Sequence, residues 1–496
     1  MFTSTSTIDW ASIGAMIIYL LLLAVIGWFL KNRIKSGNDF WSGGRNVGPI
    51  ATAFSYCAAY YSTVAVIGGP AMYAQYGAGY EAVEHIGNQF VTCFLMLIVL
   101  GMKMRIVSER SGAVSLPGYL AVRYESNIIR ITSAIVIAVM MIPYGVSCFK
   151  GIGTAMSIVA GIPYGISIVI IAITALIYMV TSGYFGAAMI DIIHGIFIMF
   201  GIAALCIAVV SACGGVTEAL DMGTIAEPLL GDIPGPIGSW SLFLSYSLIW
   251  AFIGFGQPHL VTKFFALKDS KTISTVALIS MIWCSIFAVF CTITSLGGRG
   301  LFDNQLSDWD MLTPSIAYIH GNFLIRALFL CSVVAAGLST VVSLVLSAAS
   351  AISKDLLEDG YMAAHNRNMD NKTTAALSRL ITGIVILVMV ALSIKPWNMV
   401  WQLAAMAAGT MGASFVAPLT IGLYYKKATK AGALASIIGG AVVTIGGYLV
   451  KLNDAIHPFM PGLIVSVILF FTVSAFTEKP SVNVIAMCFD KNWRTK

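Results

Sequence analysis

The sequence predicts an all-α protein that crosses a membrane many times. Of its 496 residues, 58% are hydrophobic and only 10% are charged, whereas a soluble domain carries about 25% charged residues. The mean hydropathy of +0.89 agrees with this composition. The apolar residues form runs of about 20 or more, the length that an α-helix needs to cross about 30 Å of hydrocarbon, and not the short alternating strands of an outer-membrane barrel.

Thirteen such runs, separated by charged or turn-forming residues, predict thirteen transmembrane helices. The first run lacks the basic start of a signal peptide and leads directly into Lys31, so we interpret it as a retained helix. The runs cover residues 11–30, 49–75, 82–102, 129–159, 164–182, 186–212, 239–265, 273–297, 319–352, 376–394, 398–424, 431–450 and 458–477.

The basic residues predict the orientation of these helices. When basic residues near the end of a run are counted with the adjoining loop, 23 of the 28 Lys and Arg residues fall on one side of a thirteen-span topology and four on the other, and Lys150 falls in the middle of a span. Cytoplasmic loops carry an excess of Lys and Arg. We therefore expect the N-terminus outside the cell, the C-terminus in the cytoplasm, and a location in the plasma membrane, which in a bacterium is the inner membrane.

Two of the predicted spans, five apart in chain order, are interrupted. The second span is polar at residues 55–63, and the seventh contains glycine and proline at 254–259. In transporters built from inverted repeats, paired broken helices of this kind bind cations and substrate at mid-membrane, although Gly and Pro are also common in ordinary membrane helices. The pairing predicts a single transporter domain built from two five-helix repeats, with spans 2–6 at residues 49–212 and spans 7–11 at residues 239–424. The remaining parts are a peripheral helix at 11–30, two peripheral helices at 431–477 and a cytoplasmic tail at 478–496.

The ninth span carries a row of hydroxyl side chains. Ser339, Ser343, Ser347 and Ser350 lie three or four residues apart, so they share one face of a helix. Hydroxyl oxygens are suitable hard ligands for a small cation such as sodium. The same row also arises where serines bond to carbonyls of their own helix or allow helices to pack closely, and the spacing alone favours neither interpretation.

Four motifs distributed along the chain carry a family resemblance. They are residues 39–45 (DFWSGGR), residues 256–259 (GQPH) followed by Lys263, residues 353–356 (SKDL), and residues 422–434. With these motifs the chain resembles the sodium:solute symporter family, in particular the branch of bacterial proline, pantothenate and monocarboxylate permeases. The resemblance covers nearly the whole chain and implies a LeuT-like five-plus-five fold, transport driven by sodium, and a small organic solute, Na⁺ and the lipid bilayer as partners.

The resemblance also implies a sodium site between the second and ninth spans. Its ligands fall on the main-chain carbonyls of Ala58, Tyr61 and Ala336 and on the hydroxyls of Ser339 and Thr340. All the positions that must supply a side-chain oxygen are intact. Five hard oxygens without a full carboxylate suit a monovalent ion that has to be released again.

Some family members bind a second sodium, and this part of the resemblance is incomplete. Asp191 and Ser343 match its acid and one of its hydroxyls, whereas Val342, Ile190 and His194 replace polar residues of those members. These departures argue against a second sodium here. Asp191 is then left either to line an inner exit path or to pair with a neighbour.

The residues expected at the substrate favour a carboxylate solute without an obligatory amine. Tyr60 stands where the proline permease has an acid, and this change removes a counter-charge for a substrate ammonium. Tyr144 and Trp250 match aromatic positions that face proline, Gly254 replaces a tyrosine, which predicts a larger pocket, and Gln257 lies in the seventh-span break. We expect a monocarboxylate or a pantothenate-like anion, with proline or another amino acid as the alternative.

Lys150 lies in the middle of the fourth span, where relatives are normally neutral. An ammonium inside the membrane costs at least about 2.5–3.5 kcal/mol and is a functional hypothesis by default. Three interpretations are open. Lys150 neutralises a substrate carboxylate, or it titrates and makes the carrier proton-linked or replaces a cation, or it snorkels to the interface or forms a salt bridge within the bundle.

Other classes of function fit the sequence less well. The basic residues are scattered and form no nucleic-acid-binding face, and no soluble partner is implied. No phosphate loop, metal-spaced His/Cys cluster or hydrolase elbow indicates an enzyme. A membrane sensor on a symporter fold stays an alternative, although the residues after the final span leave little room for a signalling domain. A continuous channel agrees less well with paired broken helices than an occluded site does.

Overall fold

A computed structural model describes residues 8–30, 43–76, 86–225, 240–302, 306, 308–362, 371–396, 398–452 and 455–490. Residues 39–42 of the first family motif and the end of the tail, 491–496, lie outside this part of the chain. Within it, the secondary structure is helical apart from an isolated bridge between Val47 and Leu267. The prediction of an all-α protein is confirmed.

The described helices of the first half of the chain include two π-helical segments, Val64–Gly68 and Ile86–Leu95. Each π-helical segment leads directly into the α-helix that follows it. The α-helices are α1 (Trp10–Leu30), α2 (Pro49–Tyr60), α3 (Gly69–Tyr76), α4 (Met96–Ser111), α5 (Leu116–Tyr124), α6 (Asn127–Val159), α7 (Tyr164–Cys213) and α8 (Val216–Ile225).

In the second half, π-helical segments instead follow two α-helices, at Ala351–Met362 and Val416–Ile421, and a 3-10 turn, Ile253–Gly256, lies between two others. The described α-helices are α9 (Trp240–Phe252), α10 (Pro258–Ala266), α11 (Ile273–Phe302), α12 (Leu312–His320), α13 (Phe323–Ser350), α14 (Asn371–Ser393), α15 (Val400–Phe415), α16 (Lys430–Leu449), α17 (Phe459–Phe476) and α18 (Val482–Phe489).

Side-chain caps fix several of the helix starts. Ser115 accepts a hydrogen bond from the N–H of Gly118 at the start of α5 (3.0 Å), and Asn322 does the same for Ile325 at the start of α13 (3.0 Å). Such side chains satisfy main-chain donors that have no partner in the first turn of a helix. The caps explain why the chain re-enters helical structure at these residues after a loop.

Ten helices among the described residues are long and apolar enough to cross a membrane, and one bent pair, Pro49–Tyr60 with Val64–Gln75, passes the same test at a bend of 55°. The protein is therefore a multi-pass membrane protein. Two shorter apolar helices, Tyr164–Ile177 and Leu244–Gly256, overlap the predicted runs 164–182 and 239–265. The count of thirteen spans and the division into two repeats stay predictions.

The structure differs from the sequence-based boundaries at runs 164–182 and 186–212. These two runs form one continuous helix, α7, of 50 residues. The stretch contains no proline, and a glycine inside a helix costs only about 1 kcal/mol relative to alanine. The glycines at 183 and 186, where the two runs meet, are therefore too weak to end the helix.

Helix α13 lies at the centre of the bundle. In its most apolar 18-residue window 94% of the residues are buried, compared with 28% in the corresponding windows of α1 and α17. The central helix packs against α2, α6 and α7. A Cβ atom added at Gly337 would overlap Ile152 of α6, so the small residue allows the two backbones to approach closely. The peripheral positions predicted for residues 11–30 and 431–477 stay predictions.

The break in the seventh predicted span depends on a close backbone contact, and this gives a first prediction. A Cβ atom at Gly256 would lie 3.0 Å from Gly412 Cα and 3.1 Å from Val416 N. Both are backbone atoms, which cannot avoid the contact by a change of rotamer. Gly256→Ala should therefore destabilise the fold by about 1–3 kcal/mol. The measurement is the midpoint of thermal unfolding of the purified protein in detergent.

Gly383→Ala is the matched control for this substitution. Gly383 lies in α14 with nothing within 4 Å of the added Cβ, and alanine is the better helix former. Equal midpoints for the two variants would contradict the close contact at Gly256.

Candidate functional site

Helix α2 ends abruptly inside the bundle. A continued helix would require the N–H of Ser62 to donate to the carbonyl of Ala58, but it donates to the carbonyl of Tyr60 instead (3.0 Å). Tyr61 has non-helical backbone angles, with φ −85° and ψ 71°. The break therefore releases the carbonyl of Ala58 from its main-chain partner, which makes this oxygen available to a side chain or an ion.

Two hydroxyls of the central helix α13 meet the released carbonyl. Ser339 Oγ lies 2.8 Å from the carbonyl oxygen of Ala58 and 3.1 Å from that of Ala336. Thr340 Oγ1 lies 3.4 Å from the carbonyl oxygen of Ala58 and 3.2 Å from that of Ala59. All of these residues are buried, with at most 1% of their surface exposed. Four of the five predicted sodium ligands are thus in one cluster, and Tyr61 follows at the same helix end.

The chemistry of this cluster fits a sodium ion. Its members are neutral carbonyl and hydroxyl oxygens, which are hard ligands that need no deprotonation. A hydroxyl that donates its proton to a carbonyl keeps its lone pairs, and rotation of the O–H bond turns these lone pairs toward a cation. The residues present are therefore able to hold Na⁺ between α2 and α13.

A cavity lies next to the tyrosines that end α2. Tyr60, Tyr144 and Trp250, which the sequence assigned to the substrate, are among the residues that line it, and no charged residue among those described does so. Its surface is mainly aromatic. The complete lining is Tyr60, Tyr61, Val64, Ala65, Gly69, Met72, Tyr73, Tyr144, Trp250, Phe287, Ala288, Cys291 and Trp401.

A second polar cluster surrounds Asp191 inside the bundle. Ser55 Oγ donates to Asp191 Oδ2 (2.5 Å). Lys263 Nζ donates to Ser55 Oγ (2.8 Å) and Ser343 Oγ (3.1 Å), and it lies 3.6 Å from Asp191 Oδ2. The side chains of Asp191 and Lys263 are 2% and 4% exposed. The structure therefore brings the two predicted second-cation residues, Asp191 and Ser343, together around a lysine.

The role of Lys263 is the main feature that the sequence did not reveal. Charge counting placed it with the basic residues of the inner face, although its ammonium is buried in the bundle. A signal was present, because Lys263 lies between apolar pairs at 260–261 and 264–265, just after the break at 254–259. A lysine in such surroundings needs a buried partner, which is Asp191.

The comparison with known proteins adds to this geometry. Residues 40–440 match the model of the sodium:solute symporter family. The chain belongs to this family. Its coupling ion is accordingly sodium, and its relatives are transporters and not enzymes.

Several relatives of this symporter cover almost its full length. The osmoregulated proline transporter of Bacillus subtilis (strain 168) is 26% identical, over 94% of this chain and 94% of the relative. The sodium/pantothenate symporter of Escherichia coli (strain K12) is 27% identical, over 95% of this chain and 98% of the relative. A solved structure of a Na⁺-coupled sialic acid symporter superposes with a TM-score of 0.78 at 16% identity, covering 95% of this chain and 99% of that one. A LeuT-like fold for the symporter agrees with this likeness.

Three residues that the sequence assigned to the substrate do not line the cavity. Gly254 faces α4 and the segment before it, since a Cβ atom there would lie 2.6 Å from Thr92 Cγ2 and 3.1 Å from Met96 Sδ. The space that a tyrosine side chain would need is therefore filled by protein. Gln257 is buried in the seventh-span break, where its Oε1 has no hydrogen-bond partner among the described residues. Lys150 is the third.

Lys150 forms an ion-pair cluster within the symporter. Its Nζ lies 2.5 Å from Asp310 Oδ2, 3.4 Å from Asp308 Oδ2 and 3.2 Å from the carbonyl of Asn398. Asp310 is fully buried and also accepts from the N–H of Val400 (3.0 Å). Burial raises the pKa of the Asp310 carboxyl, and the Lys150 ammonium opposes this. Of the three interpretations of Lys150, the salt bridge within the bundle is the one that this geometry supports.

The sodium site gives a second prediction. Sodium should raise the unfolding midpoint of the wild-type symporter in detergent, because a ligand that binds only the folded state stabilises it. Ser339→Ala removes one oxygen ligand and should weaken sodium affinity at least tenfold, which corresponds to about 1.4 kcal/mol. The measurement is the midpoint as a function of sodium concentration, with choline as the replacement cation.

Ser332→Ala is the control for this experiment. Ser332 is a buried serine of the same helix whose hydroxyl donates to the carbonyl of Phe329 (2.8 Å). Its replacement should leave the sodium response unchanged. If Ser339→Ala responds to sodium as Ser332→Ala does, the assignment of the ion to this cluster is wrong.

The Lys150 cluster gives a third prediction. Lys150→Met leaves the carboxylate of Asp310 buried without its cation, and breaking a buried pair in this way costs about 3–5 kcal/mol. The double variant Lys150→Met/Asp310→Asn removes the stranded charge and should recover most of the lost stability. Thermal unfolding of both variants tests this, and a single variant as stable as the wild type would disprove a structural role.

Proposed function

We propose that this symporter carries a small organic carboxylate into the cell together with sodium by alternating access, with its N-terminus outside and its C-terminus in the cytoplasm. The observation that carries the proposal is that one helix end contributes both to the oxygen cluster at Ser339 and to the lining of the cavity. Tyr60 and Tyr61 line the cavity, and Ala58, two residues earlier, meets the hydroxyl of Ser339.

This shared helix end supplies a physical basis for coupling. Sodium at the cluster joins the broken second span to the central helix α13 and fixes the backbone that carries Tyr60 and Tyr61. A solute that contacts these tyrosines in turn favours the arrangement in which the sodium oxygens are assembled. By linkage, each ligand must raise the affinity for the other by the same factor.

A carboxylate is favoured by the polar groups of the cavity. The indole Nε1 of Trp250 is buried and has no hydrogen-bond partner among the described residues. An indole N–H is only a donor, so its partner in the solute must be an acceptor. Among the described residues, no aspartate or glutamate lines the cavity to hold a solute ammonium. The named solutes of the relatives, proline and pantothenate, each carry a carboxylate.

An amino acid such as proline is the second candidate, favoured by the proline transporters among the relatives. The described lining of the cavity offers its ammonium no acidic partner. The phenolic oxygen of Tyr60 lies 3.4 Å from the carbonyl of Trp250 at the position where that counter-charge is expected. Recognition of an amine would therefore rest on neutral oxygens alone. This makes proline the weaker candidate.

Uptake into proteoliposomes tests the proposed function directly. With sodium outside and potassium inside, labelled pantothenate or a short monocarboxylate such as propionate should accumulate, and with potassium on both sides it should not. Proline serves as the amino-acid comparison. Equal rates with and without the sodium gradient would contradict coupling, and uptake of proline alone would contradict a preference for a carboxylate without an amine.

Trp250 gives a fourth prediction. Trp250→Phe keeps an aromatic wall but removes the N–H donor, which should raise KM about tenfold, since one hydrogen bond to a charged acceptor contributes about 1.5–3 kcal/mol. The maximal rate should change little because the lost contact is made in the bound ground state. Initial uptake rates over a range of solute concentrations measure both constants.

Trp283→Phe is the matched control for Trp250. Trp283 stacks on Phe287, with ring centroids 5.6 Å apart, but it does not line the cavity. Its replacement should therefore leave KM close to the wild-type value. An equal rise of KM in both variants would indicate a general loosening of the aromatic layer and would contradict a specific role for the Trp250 N–H.

A further inference from the structure

The Asp191 cluster has the chemistry of a cation site. A carboxylate oxygen and the hydroxyls of Ser55 and Ser343 converge on one point inside the bundle. The second carboxylate oxygen, Asp191 Oδ1, is buried without a hydrogen-bond partner among the described residues. A hard monovalent ion would find at least three oxygen ligands here, and one of them carries a full negative charge.

The cluster lies next to the sodium site on both helices that form that site. Ser55 precedes Ala58 by three residues on α2, and Ser343 follows Ser339 by four residues on α13. Residues three or four apart in a helix lie one above the other, about 5–6 Å apart. The two oxygen clusters are therefore neighbours, one helical turn apart, and the chain builds two adjoining cation positions between the same pair of helices.

Of these two positions, the one at Asp191 already contains a cation that belongs to the chain. The ammonium of Lys263 donates to both hydroxyls, at 2.8 and 3.1 Å, and lies 3.6 Å from Asp191 Oδ2. The ring of Tyr184 lies 5.3 Å from the same nitrogen, which adds a cation–π contact. A lysine ammonium is a compact point charge with three donors, and here it takes the place that an ion would take.

We propose that Lys263 is a tethered cation that fills the second cation position, so that this symporter binds one sodium ion in each cycle. A second sodium would have to enter beside a buried ammonium and compete for the same three oxygens. Like charges at such distances in a medium of low dielectric repel each other by several kcal/mol. This inference rests on the proposed function, a symporter driven by sodium, and adds the ion stoichiometry to it.

The stoichiometry has a consequence for the driving force. One sodium ion and one monocarboxylate carry opposite unit charges, so their joint transfer moves no net charge across the membrane. Uptake is then driven by the sodium concentration gradient and is insensitive to the membrane potential. Two sodium ions with one monocarboxylate would move one positive charge, which gains about 2.3 kcal/mol for each 100 mV of potential.

Equilibrium binding of ²²Na⁺ to the purified symporter in detergent tests this inference without a solute. The wild type and Lys263→Arg, which keeps the positive charge, should each bind one ion per chain. Lys263→Ala empties the position at Asp191 and should bind two sodium ions per chain. The double variant Lys263→Ala/Asp191→Asn also removes the carboxylate and should bind one ion again. Binding of one ion by Lys263→Ala would show that the ammonium is not what excludes the second ion, which overturns the inference.

Two further results separate this inference from the proposed function. Two ions bound by the wild type would overturn the single-sodium stoichiometry and leave sodium coupling intact, whereas no saturable binding by the wild type would overturn both. The wild-type measurement still tests the single-sodium stoichiometry even if Lys263→Ala does not fold. In proteoliposomes, a potassium diffusion potential set with valinomycin should leave sodium-driven carboxylate uptake unchanged, and a rate that rises with interior-negative potential would also overturn the inference.

Discussion

The contact between Ser339 of the central helix and the carbonyl of Ala58 is the interaction on which the rest of the architecture depends. A carbonyl that leaves its helix inside a membrane must find another partner, because no water is available there to satisfy it. In this fold the partner is a hydroxyl of the most buried helix. The constraint explains why α2 breaks where α13 presents Ser339 and Thr340, and why the cavity is located beside the break.

The same scarcity of solvent determines where charge is located. Lys150 and Lys263 each have a carboxylate partner, Asp310 for Lys150 and Asp191 for Lys263. An unpaired ammonium at either position would carry the full cost of desolvation. The pairs differ in what they join: Lys150 connects α6 to the segments before α12 and α15, whereas Lys263 connects α10 to the oxygens of α2, α7 and α13. Neither pair belongs to the described lining of the cavity, which contains no charged residue.

Sequence reasoning succeeded where only a few structural causes account for the presence of a given residue type within an apolar run. Polar residues at 55–63 and glycine with proline at 254–259 predicted both breaks, because such residues interrupt a membrane helix for a reason. The serine row was ambiguous, and the structure shows why: Ser339 reaches α2, whereas Ser347 Oγ donates to the carbonyl of Ser343 in its own helix (2.8 Å). Charge counting assigned Lys263 to the inner face because it infers the side of the membrane from the order of residues along the chain. The burial of Lys263 depends instead on the direction that α10 takes after the break.

In the proposed function, a cavity without charge among its described lining residues lies beside the oxygen cluster, and this explains how ion and solute depend on each other. A carboxylate that enters the aromatic cavity alone is a buried charge without a partner, and a sodium ion at the neutral oxygens of α2 and α13 is another. When both are bound on either side of the same helix end, they attract each other in a medium that screens charge poorly. As a scale, two unit charges 4 Å apart gain about 4 kcal/mol at an effective dielectric constant of 20. The Lys263–Asp191 pair carries no net charge, so it would leave the one-to-one balance of the proposed transport cycle undisturbed. Symport of the proposed carboxylate would then follow from electrostatics, because only the loaded pair or the empty carrier avoids an uncompensated charge inside the bundle.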